Sequence, residues 1–528
     1  MKSSVVVAGA IALFALPQLA LGYPLDAYEE TGMLRLEAYR LAQTGKIRGR
    51  LLPPGAQRKS EDIQLRLIDR PDFEIPAPDA ALSASIEALL DEGTDGYAIA
   101  VLDLTDPDNP RYAGHNAEQD QNPGSVGKLM VGLAWFQALA DVHPDDTTAR
   151  DALLYDTHHV ADAFIRWDGH NVPLWKPGDR EVVYRPIQEG DDGNLWTWLD
   201  WMMSSSSNAA ASTVMSQLVL LSHFGAEYPV PPAAAAKFFA ETPKSKLSSI
   251  YTKAIQSPLT RNGLDVTQLR QGSFFTSEGK ARIPGTNSAA TPLELLRYMV
   301  KMEKGELVDP YSSLAIKRLI YLSEGRIRYA ASPALRRAGL FFKSGSLYSC
   351  KEESGFVCGK YKGNVRNYLN SVTMVETDEP GRKLQYIVVL LSNVLRKDSG
   401  QIHKKLATEI HILMERDHPP AAVSPDREPQ LDDGSDEAEI QRVIDEINSG
   451  NFAATIDEID SEYSVTPIDE IDSENSATPI DEIDSENSVT PIDEIDSENS
   501  AAPIDEIDSE NSAVPIDEID SDEQPVSE

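Results

Sequence analysis

The order of elements along this chain predicts an α+β fold: an antiparallel sheet flanked by terminal helices, with a helical subdomain beside it. Three observations carry that reading. The segment Gly124 to Ala140 is apolar on every side except at Lys128 and Gln137, so it belongs in the middle of a domain. Three strand-like runs close the domain, the last two meeting at the turn chemistry of Asp378-Glu-Pro-Gly381. Between the first strands and these three lies a long, mostly helical region, from about Pro144 to Ala290, that forms the subdomain.

Each element has its own pattern. Ala81 to Leu90 has helical periodicity, and Tyr97 to Leu104 runs apolar like a strand. Asp106-Pro-Asp-Asn-Pro110 turns the chain into a second short strand at Arg111 to Ala113. Thr291-Pro292 is a helix start, and the amphipathic run continues to Lys304. The closing strands are Leu340 to Tyr348, Tyr368 to Glu376 and Leu384 to Leu391. Ile402, Leu406, Ile410 and Leu413 then mark one face of a final helix. Residues 23–77, punctuated by proline and charge, read as an N-terminal extension with a helix-like run (Met33 to Leu41) and a strand-like run (Ile63 to Leu67). The compact domain is expected over 78–418.

Charge sets that domain apart from the C-terminal segment. Of the formal net charge of −37, −33 falls after residue 420, where 35 Asp and Glu face 2 Arg. The preceding 420 residues are nearly neutral, so a basic footprint for nucleic acid is missing and phosphate-driven DNA or RNA binding is not expected. Residues 419–528 are an acidic tail built on a twelve-residue unit, Thr-Pro-Ile-Asp-Glu-Ile-Asp-Ser-Glu-Asn-Ser-Ala/Val, recurring from Thr466. Two isoleucines per unit bury too little area to offset chain entropy, so disorder is expected, with cations or a basic partner as the natural contacts. A calcium-ordered array is the competing reading, but the unit lacks the glycine turn and spaced ligands of a calcium loop.

At the other end, residues 1–22 read as a secretory signal peptide. Lys2 supplies the positive end, Val5 to Leu21 the apolar core, and Ala20-Leu-Gly22 the small-residue cleavage site. An uncleaved membrane anchor is the alternative; after cleavage no transmembrane anchor is expected, and the protein is placed in the periplasm or outside the cell. Export puts Cys350 and Cys358, the two cysteines of the chain, in an oxidising compartment, where a pair this close closes a loop as a structural disulfide.

Three short motifs appear in one order. Ser125-Val-Gly-Lys128 opens the buried helix, so Lys128 lies one turn beyond Ser125 and beside its hydroxyl. The helix start offers N–H groups and a positive field to an oxyanion, and burial favours the neutral amine that can act as a base. Ser125 as a mere cap with Lys128 reaching out to solvent is the bland alternative. A second Ser-x-x-Lys, Ser277 to Lys280, runs into Ala-Arg-Ile-Pro, which breaks a helix. Ser206-Ser-Asn208 lies between two apolar helical runs, where four consecutive serines favour an irregular joint facing a cleft. Lys343-Ser-Gly345 sits inside an apolar strand, and a glycine there marks close approach of a ligand or another backbone.

On these motifs the chain from about Pro78 to His418 resembles the class A β-lactamase-like serine hydrolases of the penicillin-recognising superfamily, which includes the D-alanyl-D-alanine peptidases. The resemblance implies Ser125 as acylated nucleophile, Lys128 as its base and Ser206 as proton relay to the leaving nitrogen. Asn208 would bond the substrate's side-chain amide. Lys343 would add positive potential and, with Ser344, meet the substrate carboxylate; Gly345 belongs to the same binding strand. The backbone N–H groups of Ser125 and Ser346 would form the oxyanion hole. The substrate would be a β-lactam or a peptidoglycan-type peptide, with no cofactor and no metal. Two departures stand out. The middle motif reads Ser-Ser-Asn where class A enzymes have Ser-Asp-Asn, and no Glu-x-x-Leu-Asn lies between Asn208 and Thr291. Glu241 and Glu278 are the loose candidates for that glutamate, so slow deacylation is expected. Three readings stand side by side: a β-lactamase, a D-alanyl peptidase with slow β-lactam turnover, or a catalytically weak scaffold with an acidic interaction tail.

Two further clusters carry blander readings. His158, His159 and His170 with Asp156, Asp162 and Asp168 fall in the insert, but adjacent histidines on a helix do not share a face and no metal is expected. Trp196, Trp198 and Trp201 are read as core.

Overall fold

The computed structural model describes residues 24–90, 94–321, 325–378 and 382–420. The main sheet has five strands: β1 (Tyr97–Asp103), β2 (Arg111–His115), β3 (Gly339–Ser349), β4 (Arg366–Glu376) and β5 (Gln385–Asn393). Their order is β2-β1-β5-β4-β3, and every neighbour is antiparallel. The first and last strands of the domain therefore pair at its centre, Val101 opposite Val388. β3, which carries the lysine-glycine motif, is an edge.

The helices that position the site are α1 (Leu34–Gln43), α2 (Ala80–Leu89), α3 (Lys128–Val142), α4 (Leu195–Met203), α5 (Asn208–Phe224), α6 (Lys244–Arg261), α7 (Pro292–Glu303), α8 (Pro310–Tyr321) and α9 (Ser399–Asp417). Because strand side chains alternate between faces, the sheet is apolar on both. Ile99, Val101, Val388 and Leu390 pack under the terminal helices, against Leu82 and Ile86 of α2 and Leu406 and Ile410 of α9. Ala98, Ala100, Ile387 and Val389 face the opposite way, into the core shared with α3, α4, α5 and α7. The helices start where the sequence supplies caps: Asp79 accepts from Leu82 N, Thr291 from Glu294 N, and Asp398 from Gln401 N.

The expected α+β architecture is the observed one, and its departures have local causes. The region 144–290 is interrupted by two short ribbons, His158–Val160 with Asp192–Asn194 and Asn171–Leu174 with Val183–Pro186. Pro173, Pro177, Gly178, Gly190 and Gly193 deny that stretch a continuous helix. His158 and His159 thus stand on a strand. Ile63 to Leu67 is not a strand: both its end residues are buried, but its backbone is irregular and meets a helix end, Leu67 N donating to Glu303 O at 3.0 Å. The tryptophans at 196, 198 and 201 are buried. Cys350 and Cys358 are disulfide-bonded in the connection between β3 and β4. The signal-peptide and acidic-repeat readings and most of the turn after Asp378 lie outside the described residues. Among the described residues no helix is long and apolar enough to cross a membrane.

Residues 24–77 pack into the same core as the helices. Leu36 and Tyr39 of α1 are fully buried, and Arg35 grips Asp200 of α4 through two bonds of 2.5 and 2.6 Å. Further along, a buried charge cluster clamps the extension to the domain. Lys317 Nζ donates to Gln64 O (2.7 Å), Glu303 Oε2 (2.9 Å) and Glu376 Oε1 (2.8 Å), using all three of its hydrogens. Arg58 and Arg66 complete the cluster on Glu376 at 2.7 and 2.8 Å. Burial alone would raise the Glu376 carboxyl, but Lys317, Arg66 and Arg58 outweigh it and hold it down at about 2. Glu303 moves the other way: burial raises it, against Lys317.

Removing one member of a buried ion cluster costs about 3–5 kcal/mol, because the remaining charges stay buried without their partner. Lys317→Met is therefore expected to lose stability of that order in urea unfolding at neutral pH. Glu376, with its folded value below its ordinary 4.5, contributes stability above that pH; the contribution fades as pH falls from 4.5 toward 2.

Candidate active site

The site is built where the start of α3 meets edge strand β3. Pro123 and Gly124 bend the chain, with Gly124 at φ +53°, into a short 3₁₀ turn over Gly124–Gly127 that leads into α3. The sequence predicts that Ser125 opens an α-helix; it opens this tighter turn, in which residues three apart eclipse, and Lys128 is the first α-helical residue. Asn370 on β4 holds the approach to the turn, donating to Asn122 O at 2.9 Å, and Asn122 Oδ1 accepts from Gly124 N at 2.9 Å. Gly345, opposite Asn370 in the ladder, lies against the same turn. A Cβ there would sit 2.4 Å from Pro123 O and 2.5 Å from Ser125 N. The glycine in the strand thus marks the close passage of another backbone, and that backbone carries the serine.

Lys128 has no exposed surface, and from Leu129 to Phe136 its helix is buried on all sides. Its Nζ lies 2.9 Å from Ser125 Oγ, 2.6 Å from Ser206 O and 2.7 Å from Asn208 Oδ1, with the Phe275 ring 4.6 Å away. The carbonyl and amide oxygens can only accept. In a neutral amine they take its two hydrogens, which leaves the lone pair facing the serine hydroxyl. One contact set thus brings together the first motif and both ends of the second.

Ser204 to Ser207 form the joint between α4 and α5. Ser206 is held at φ +58°, a region that costs a non-glycine residue about 1–2 kcal/mol. Its carbonyl accepts from Lys128 Nζ, and its hydroxyl accepts from Lys343 Nζ at 2.7 Å. Lys343 also donates to Ser344 O at 3.1 Å. Burial above all, with the charge of Arg328 adding to it, holds the Lys343 amine well below the usual lysine range. Ser206 therefore stands between two buried amines, its carbonyl on Lys128 and its hydroxyl on Lys343.

Arg328 is the participant that the motifs do not point to. From the 3₁₀ turn Arg328–Ala331 it donates to Ser344 Oγ (3.0 Å), Ser346 Oγ (3.1 Å) and Tyr361 OH (2.8 Å). Its guanidinium also lies over the Tyr361 ring at 4.5 Å. The disulfide-closed connection that carries Tyr361 thereby supports the site. Arg328 stands in no motif and enters by tertiary packing alone.

Of the other residues that the sequence singles out, only Asp168 and its partner His170 lie against the site, at the turn that carries Asn208. Glu241 is an exposed side chain near Lys237, and Glu278 pairs with Arg282 at 2.7 Å. Ser277 and Lys280 sit in a six-residue helix that ends ahead of Pro284. His158 pairs with Asp192 at 3.0 Å, His159 packs on Trp198, and His170 pairs with Asp168 at 2.5 Å.

No family model matches the sequence, and no curated protein matches it. Among solved structures, a mutant of PBP-A, described as an acyl-enzyme complex with penicillin G, aligns at 12% identity and a TM-score of 0.41, covering 65% of this chain and 100% of that one. A β-lactamase from Sphaerobacter thermophilus aligns at 13% and 0.40, over 65% of this chain and 99% of its own. A variant of the last common ancestor of Gram-negative bacteria β-lactamase class A aligns at 16% and 0.40, over 64% and 98%. The chain is similar to PBP-A and to class A β-lactamases.

Gly345→Ala is expected to force β3 away from the serine turn, since the clash is with backbone. The protein should remain folded with its circular dichroism unchanged, and reaction of Ser125 with any acylating reagent should fall by about 100-fold.

Proposed function

We propose that this chain is a serine acyl-transfer enzyme acting on a β-lactam or a D-alanyl amide through an acyl-enzyme on Ser125. The observation that carries this is the Lys128 amine, buried 2.9 Å from the Ser125 hydroxyl with two pure acceptors at its hydrogens. Lys128 takes the Ser125 proton as Oγ bonds the carbonyl carbon. The negative oxygen of the tetrahedral intermediate settles on the N–H groups of Ser125 and Ser346. When the carbon–nitrogen bond breaks, the nitrogen receives a proton from the Ser206 hydroxyl, which Lys343, in contact with it, re-protonates; the proton that Lys128 took from Ser125 restores Lys343, so that both amines end as they began. Asn208 bonds the amide of the substrate side chain. Arg328, with Ser344 and Ser346, meets the substrate carboxylate, and Lys343 serves the relay.

Turnover by water is the weak step in this reading. Phe275 and Gln271 lie against the Lys128 turn, Gln271 Nε2 bonding Ser273 O at 2.6 Å, and neither side chain can activate water as a carboxylate would. This favours a peptidase or penicillin-binding protein with slow β-lactam hydrolysis over a fast β-lactamase. The Cys350–Cys358 disulfide supports an oxidising, extracytoplasmic location.

Purified protein is expected to retain a fluorescent penicillin covalently through denaturing electrophoresis, and Ser125→Ala and Lys128→Ala should not. Nitrocefin should give a burst of about one equivalent and then slow turnover. An unlabelled wild type, or labelling that survives Ser125→Ala, contradicts the proposal.

A further inference from the structure

The turn carrying Ser206 and Asn208 is held from outside by a side chain the motifs do not include. Asp168 lies in the loop that ends at the Asn171–Leu174 strand, about forty residues upstream, and its side chain is 3% exposed. Its Oδ2 accepts from Ser207 Oγ and from Ala209 N, both at 2.8 Å. These two residues bracket Asn208. Its Oδ1 accepts from His170 N at 3.2 Å and from His170 Nδ1 at 2.5 Å. Burial would raise this carboxyl, but the hydrogen bonds from His170 and from the Ala209 N–H outweigh it and hold it below the usual carboxylate range.

The carboxylate sits at the start of a seventeen-residue helix. Ser207 Oγ accepts from Ala210 N at 3.1 Å while donating to Asp168, so the two side chains together satisfy the Ala209 and Ala210 amides. The loop is itself anchored: Phe164 O accepts from Thr276 Oγ1 at 2.7 Å, and Arg166 O from Glu278 N at 3.1 Å. The Ser206 backbone is in a region that persists only where its surroundings over-determine it.

We propose that Asp168 is the positioning residue for Ser206 and Asn208: its carboxylate, delivered from the upstream loop, locks the residues flanking Asn208 and so fixes the relay hydroxyl and the amide-binding group against Lys128. The middle motif has Ser207 where class A enzymes have an aspartate; in this chain the carboxylate reaches the same turn from another segment. The proposal rests on the acylating reading of the site, and its test separates the two.

Three full-length variants are compared with the wild type: Asp168→Asn, Ser207→Asp, and the double variant Asp168→Ser/Ser207→Asp. Labelling by a fluorescent penicillin is measured over concentration, which splits the limiting acylation rate from half-saturation, and amide hydrogen exchange is measured at Ala209 and Ala210. Asp168→Asn should lower the limiting rate by about 100-fold with half-saturation little changed, and should speed exchange at Ala209. Ser207→Asp alone sets two carboxylates face to face and should label poorly. The double variant, with one carboxylate restored to the turn, should recover to within about tenfold of wild type. A wild-type labelling rate in Asp168→Asn, or unchanged exchange at Ala209, overturns the proposal. So does a slow Asp168→Asn that the double variant fails to rescue, since the loss then belongs to the loop. An unlabelled wild type counts against the acylating reading instead, and the exchange at Ala209 still decides whether Asp168 holds the turn.

Discussion

A lysine amine sealed inside a helical layer, in contact with a hydroxyl, a carbonyl and an amide oxygen, is the constraint that the rest of this structure serves. An amine can be kept dry only if its hydrogens find acceptors, and the groups around this one come from separate parts of the chain. Ser125 arrives on the turn before α3, Ser206 and Asn208 on the joint between α4 and α5. The all-round burial of α3 is what puts the amine out of reach of water, and the strained backbone at Ser206 is what brings its carbonyl to it.

The fold contains a second buried lysine, and the contrast is informative. Lys317 sits between Glu303 and Glu376, with Arg58 and Arg66 beside them, and its charge is matched where it lies. That arrangement ties the N-terminal extension to the domain. Lys128 meets uncharged oxygens and faces a second buried amine through Ser206. The first environment sets the amine between two carboxylates. The second suits a group that must accept a proton and give it up. The sheet contributes through one missing side chain: without a Cβ at Gly345, edge strand β3 can lie directly on the serine turn.

Much of this is legible in the sequence because it is local. An apolar run with one charge announces a buried helix, alternation with a Pro-Gly turn announces a hairpin, and a lysine and glycine inside a strand announce an edge that something approaches. The illegible part depends on which distant segments meet. Arg328 lies on a short 3₁₀ turn with no periodic signal, and only packing brings it to Ser344 and Ser346. Asp168 stands in the sequence among histidines, as one of a remote set of metal ligands; it does pair with His170, but its other carboxylate oxygen meets Ser207 and Ala209, about forty residues downstream. The 23–77 segment gives no hint that Arg66 and Gln64 close over Lys317. Its strand-like run at 63–67 satisfies alternation but meets a helix end, so the periodicity has no ladder to join. The ribbons in 158–194 are hidden by a helical reading of the whole insert.

The most direct measurement is a crystal of the protein soaked with a β-lactam. Continuous density from Ser125 Oγ is expected, with the ester oxygen within hydrogen-bond distance of Ser125 N and Ser346 N, and the Lys128 amine still enclosed beside Ser125. Density attached to another residue, or a Lys128 side chain turned out into solvent away from Ser125, would contradict the account.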